Sequence, residues 1–251
     1  MRSRRVFGKW VRAWFAADVG WCQHTLAIPD LMPFLRLLEE LLAQGKGSAQ
    51  MHLDFDADAV AAHRPRYNVA PSQEHWVVKA TSSTWRVQTL RWGFTRPKGS
   101  GMMVNARSET AATLPSFRES FAHSRVVVIA DGFYEWKNAG TKQAQPYHVR
   151  PANGAPMWVA GLARGATFLL LTTPASAQLE PIHHRMPALL STEDLQKWLN
   201  PDLATDELMR LLVPWTKSAM TSHPVSKRVN AVANDSAELL ECVEPAQREL
   251  F

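Results

Sequence analysis

Residues 126–136 read VVVIADGFYEW, an apolar run rich in β-branched and aromatic residues, the composition of a strand. Runs of the same texture lie on both sides. HWVVKAT (75–81) and WRVQTLRWGF (85–94) precede it, and PYHVR (146–150), PMWVAGL (156–162) and TFLLLTT (167–173) follow. Turn residues separate these runs at short intervals, so residues from about 66 to 175 are expected to form a curved antiparallel sheet or barrel rather than a βαβ repeat.

Helical patterns flank this core. Residues 30–43 (DLMPFLRLLEELLA) place Leu31, Phe34, Leu35, Leu38, Leu41 and Leu42 at helical spacing, with Asp30 to cap the helix and Gly45 to stop it. Residues 44–65 are polar and read as a surface connection. Further helices are expected over 108–113, 116–123, 191–199, with Ser191 or Thr192 as cap, and 205–213. The fold class is therefore α+β.

The chain has 251 residues, 46% hydrophobic and 20% charged, an ordinary globular composition that excludes disordered and collagenous classes. No apolar run reaches the roughly 18 to 20 residues that span a bilayer, so no membrane partner is expected. Cys22 and Cys242 are the only cysteines. They form neither a disulfide framework nor a CxxC half-site, which fits a reducing cytoplasm. The nine histidines show no metal-ligand spacing, and the adjacent His183 and His184 would point apart on a strand; no metal or other cofactor is expected.

The formal net charge is +5, but Arg2, Arg4, Arg5, Lys9 and Arg12 against Asp18 give the first 21 residues +4 of it. That stretch lacks the uninterrupted apolar segment of a secretory signal. It reads either as a basic arm for a DNA backbone or as an unstructured tail.

Four segments carry polar groups that the apolar pattern does not require: RYNVAPSQ (66–73), NARSE (105–109), DGFYEWK (131–137) and IHHRMP (182–187). Glu135 follows an apolar strand between aromatic residues, where desolvation is expected to raise a carboxyl pKa so that it can donate and recover a proton. His183 can serve as a second acid or base near neutrality. Asn105 can orient an oxygen. Together these groups suit sugar-ring opening, imine chemistry or hydrolysis.

In this order, and with FLLLTT (168–173) and HPV (223–225), the segments resemble the SOS-response-associated peptidase (SRAP) family over roughly residues 66–243. The resemblance implies a mixed α/β fold around an antiparallel barrel-like core and a monomer in the cytoplasm, at the nucleoid when bound to DNA. The implied partner is single-stranded DNA containing abasic sites. It implies that Asn105 and Glu135 position and protonate the sugar oxygens and that His183 transfers protons. Arg107 and Arg185 are expected at phosphates flanking the lesion. Pro71, Met103, Trp136 and Thr172 are expected to line the pocket or support unstacked bases. For Trp136 and Trp92 core packing is the competing reading.

Family members begin Met-Cys-Gly-Arg, and removal of the Met, the peptidase activity of the name, exposes a Cys whose amine and thiol capture the abasic aldehyde as a thiazolidine. Here position 2 is Arg, and Cys22, within WCQHTLAI, is the best heir to that cysteine. An internal Cys22 has no free α-amine and cannot form the imine. Residues 1–21 are therefore expected to be a basic extension, disordered or propeptide-like, before one SRAP-like domain at 22–251; alternatively the chain binds single-stranded DNA without crosslinking. A plain hydrolase using Glu135 and His183 is a third reading. His184 stands where the family usually has Asp, which implies a weaker base or a shifted pH optimum for His183.

Overall fold

In the computed structural model, which describes residues 25–28, 30–44, 52–81, 83–96 and 101–244, the 126–136 run is two strands, not one. It divides at Asp131 into β9 (Arg125–Ala130) and β10 (Gly132–Lys137), which join different sheets. Before them come β1 (Thr25–Ile28), α1 (Met32–Gln44), β2 (His52–Phe55), α2 (Ala57–Ala61), β3 (Arg66–Val69), β4 (Glu74–Ala80) and β5 (Thr84–Trp92). Next are β6 (Phe94–Thr95), β7 (Met102–Met103), β8 (Asn105–Arg107), α3 (Ser108–Ala111) and α4 (Arg118–His123). After β10 follow β11 (Gln145–Pro151), β12 (Met157–Arg164), β13 (Thr167–Pro174), β14 (Arg185–Pro187), β15 (Leu189–Leu190), α5 (Thr192–Leu199), α6 (Thr205–Leu211) and β16 (Met220–Pro224). The fold is α+β.

Strands β4, β5, β13, β12 and β9 pair in a ring, each neighbour hydrogen-bonded to the next. Four of the seams are antiparallel; the fifth, between β5 and β13, is a short parallel contact that sets Thr167 beside Arg91 and Phe168 beside Trp92. The core is thus barrel-like, as the strand spacing implies. Close approach within it depends on Gly161, where a Cβ would lie 2.8 Å from the carbonyl oxygen of Leu169. The second sheet runs β16, β11, β10, β1, β3. Gly132 plays the same part there, since a Cβ would overlap Nε2 of His148.

Alternate residues of the ring feed two cores. Val126 and Val128 pack with Leu26, Phe133 and Val149 of the second sheet. Val127 and Ile129 pack instead toward helices, with Phe34 and Leu38 of α1 and Leu195 and Trp198 of α5. This is why the strand sequences read as nearly continuous apolar runs. Phe34 meets Trp158 edge-on at 5.3 Å, and full burial of each such side chain contributes about 1.5–3 kcal/mol.

Arg125 joins two helix ends. Its buried guanidinium donates to the carbonyls of Phe121 and Ala122 in α4, of Trp198 in α5 and of Asn200 just beyond it, supplying partners and positive charge where helix carbonyls have neither. At the other edge, Asn68 donates through its amide to the carbonyls of Val229 and Asn234, and Asp235 accepts from the backbone N–H groups of Tyr67 and Asn68. These bonds hold the chain after β16 against β3.

The 44–65 stretch is not a plain connection. It contains β2, which pairs in parallel with β5, and α2, capped by the Asp56 carboxylate accepting from the N–H groups of Asp58 and Ala59. Both elements are short and mostly exposed, so neither leaves an apolar period in the sequence. Helix α1 starts at Met32, whose N–H donates to Asp30 Oδ1. Ser191 caps α5, as expected.

Candidate functional site

The end of β13 gathers the polar segments. Strand β8 runs parallel to it, placing Asn105 beside Leu170 and Arg107 beside Thr172, while β14 runs antiparallel and places Arg185 beside Pro174. His183 lies in the turn before β14, with its N–H donating to the carbonyl of Leu179. From the second sheet, β10 brings in Glu135. Its Oε2 lies 3.8 Å from Nδ1 of His183, and its Oε1 accepts from the N–H of Trp136 at 3.1 Å. Glu135 is 3% exposed, and Phe133, Val149, Leu179, Ile182 and Arg185 line the same small cavity.

Nδ1 of His183 faces the backbone of Arg185, 3.1 Å from its N–H nitrogen and 3.2 Å from its carbonyl oxygen. A neutral ring can accept there and a protonated ring can donate there, so either state finds a partner on one residue. A carboxylate and an imidazole thus meet near the end of β13, with the amide of Asn105 on the strand that pairs with its middle; a carboxylate and an imidazole together can move protons to and from a bound oxygen.

His184 departs from expectation. Residues 183 and 184 are not in a strand, and their rings lie together, with centroids 4.3 Å apart. The reason is the turn, which removes the alternation that separates neighbours on a strand. Partial burial, followed by the positive charge of His183, Arg185 and Arg107, lowers the His184 pKa against a smaller opposing pull from Glu135.

The basic pair divides into unlike members. Arg107 is exposed. Arg185 instead gives Nη1 to Glu109 Oε1 at 2.5 Å and Nη2 to Glu109 Oε2 at 2.9 Å, and Nη2 also reaches the carbonyl and hydroxyl of Thr172. Thr172 is buried and bonds Arg185. Hydrogen bonds from Arg185 hold the Glu109 carboxyl below the usual range. Within NARSE, Glu109 follows Arg107 by two positions, yet nothing in the sequence signals that its partner would be Arg185.

Trp136 is half-buried beside Tyr134, Val225 and Val229, and its indole N–H donates to Asn230 Oδ1 at 2.8 Å. Met103 packs against the helix-covered core, and Pro71 is half-buried in the turn after β3. Trp92 is a core residue, stacked on Phe168 and donating to the Val104 carbonyl. Cys22 and residues 1–21 lie outside the described residues. Among the described residues no cluster of His, Cys, Asp and Glu could hold a metal ion, and no helix is long and apolar enough to cross a membrane.

The sequence matches the SOS response associated peptidase (SRAP) family over residues 40–232. The chain belongs to this family. Among SRAP relatives, the abasic site processing protein YoaM of Bacillus subtilis is 35% identical over 205 residues, 74% of this chain and 90% of its own. The abasic site processing protein YedK of Escherichia coli is 30% identical, covering 82% of this chain and 95% of its own. The chicken (Gallus gallus) abasic site processing protein HMCES is 32% identical over 72% of this chain and 67% of its own. A crystal structure of a Bacteroides thetaiotaomicron protein shares the fold, with a TM-score of 0.68 at 21% identity over 89% of this chain and all of the other.

Proposed function

We propose that this SRAP protein recognises abasic sites in single-stranded DNA and processes them at the Glu135 and His183 pair, with covalent capture dependent on a freed Cys22. The observation that carries this reading is the 3.8 Å approach of Glu135 Oε2 to His183 Nδ1 beside the strand of Asn105. The names of the relatives supply the lesion.

The abasic sugar is mostly a closed hemiacetal, and opening it moves a proton from its hydroxyl to the ring oxygen. Glu135 and His183 carry that proton, and Asn105 orients the oxygens. An α-amine then adds to the aldehyde carbon, and loss of water leaves an imine. Addition of the thiol to the imine carbon, with its proton passing to nitrogen, closes a thiazolidine. In the chain as written the nitrogen of Cys22 is a peptide nitrogen, so capture requires hydrolysis of the bond after Trp21. That autoprocessing is the peptidase step. The same sequence fact favours a second reading, a noncovalent binder of single-stranded DNA.

The exposure of Arg107 supports it as a contact for a flanking phosphate. Trp136, with its indole edge tied to Asn230, offers a ring face to an unstacked base, and Pro71 and Met103 are proposed as further pocket residues. Two proteins test the proposal: the full chain and a version beginning Met-Cys22. Each is incubated with abasic single-stranded DNA and denatured. A heat-stable shifted band from either one supports capture, and a band from the full chain, with Cys22 found at its mature N-terminus, supports autoprocessing. Intact binding with no band from either overturns capture in favour of the second reading.

A further inference from the structure

Arg185 is expected at a phosphate, but both terminal nitrogens of its guanidinium are engaged within the protein. Glu109 takes them as a fork, and Thr172 takes a further bond on Nη2. The Arg185 side chain is 11% exposed and that of Glu109 46%. An ion pair open to water on one side contributes little to stability, so the two-point geometry calls for another account.

Its effect is positional. Glu109 lies in α3, directly after β8, the strand of Asn105 and Arg107, and Arg185 begins β14 directly after the His183 turn. The ion pair ties those two segments together across the end of β13. It also fixes the Arg185 backbone, which touches Nδ1 of His183 through both its N–H and its carbonyl. The Glu135 carboxylate approaches that same Nδ1 at 3.8 Å, so the position of the Arg185 backbone sets how the ring faces it.

Resting on the function given above, we propose that Glu109 is a positioning residue for His183, acting through Arg185. The bidentate pair holds the His183 ring in one orientation and keeps Asn105 and His183 in register. A phosphate reaching the guanidinium fork competes with Glu109 for it.

The test compares Glu109→Gln and Glu109→Asp with the unaltered full chain, and the same substitutions in the version beginning Met-Cys22. Glu109→Gln is expected to slow abasic-site processing by roughly tenfold to a hundredfold, the cost of a small misplacement at a reacting centre. Affinity for abasic single-stranded DNA stays the same or tightens, because a negative charge is lost. Glu109→Asp recovers part of the rate, and the pH profile of Glu109→Gln differs in shape from that of the parent.

A second readout needs no DNA. Long-range proton–nitrogen NMR of the His183 ring in the free protein should show one sharp set of ring signals in the parent and signals broadened or split by exchange between ring orientations in Glu109→Gln. Unchanged ring spectra and unchanged rate overturn the proposal. Weakened DNA binding with an unchanged rate overturns it by making the pair a DNA contact. Equal loss of rate, binding and melting temperature without recovery by Asp makes it a brace only. If the parent proves inactive on abasic DNA, the function falls, and the ring spectra alone decide the role of Glu109.

Discussion

The ring of His75 in β4 is fully enclosed, with Nε2 2.6 Å from the carbonyl oxygen of Ile129 in the neighbouring strand β9. The ring is therefore the neutral Nε2–H tautomer, donating to that oxygen. Burial pushes its pKa down to about 4, and burial with the nearby charges of His223 and Arg150 pushes that of His148 down to about 3. Unfolding returns both to about 6.5, so between those limits the unfolded chain binds more protons. Stability present above pH 6.5 is lost as pH falls, on the order of 2 kcal/mol per histidine by pH 5. Urea unfolding at pH 7.5 and pH 5 should show this, and a hydrophobic isostere such as His148→Phe, if tolerated, should flatten the difference.

Asp131 titrates the other way. Burial, reinforced by the carboxylate of Asp30, pushes it up to about 7. The folded protein then binds the extra proton between about pH 4 and 7, and the group costs stability as pH rises through that range. Asp131→Asn is expected to leave stability near pH 4 unchanged and to raise it above pH 7 by about 1–3 kcal/mol, read from melting curves at both values.

The paired site makes a kinetic prediction. Glu135→Gln and His183→Ala should each lower the processing rate by about a hundredfold or more, as expected for loss of a proton-transfer group. Affinity for single-stranded DNA should change little. Filter binding beside a denaturing gel separates the two effects; parallel loss of both would make these residues binding groups.

Arg125→Lys tests the junction of α4 and α5. One ammonium cannot serve the four carbonyls that the guanidinium reaches. The expected loss is about 2–4 kcal/mol of unfolding free energy, with the ring strands intact by circular dichroism.

The basic leader has its own test. Deleting residues 1–21 removes most of the formal net charge and should make the salt dependence of single-strand binding shallower, by about 0.7 in slope for each phosphate that the leader would otherwise neutralise. Equal slopes would make the leader a bystander.

What could be read from the sequence follows from which forces leave a local trace. Strands buried on both faces, such as β9 and β13, announce themselves as apolar runs, and α1 as a helical stripe of Leu and Phe. Strand β2 does not, because HLDF is half-exposed and is held by pairing with β5, a partner distant in sequence. The division of 126–136 at Asp131 is hidden for a similar reason: what requires Gly132 is the side chain of His148 on another strand. At the site, Asn105, Glu135 and His183 stand out as polar residues in apolar surroundings. The capture of Arg185 by Glu109 is a matter of register between β8 and β14 across β13, and neither residue type nor spacing encodes it.

The bond from the Asn68 backbone to Asp235 spans 167 positions of chain. A ribosome releases β3 long before Asp235 emerges, so this anchoring waits until nearly the whole polypeptide is made. Because β3 pairs with β1, and β1 in turn with β10, the strand of Glu135, the outer edge of that sheet gains its last anchor only once residue 235 has emerged.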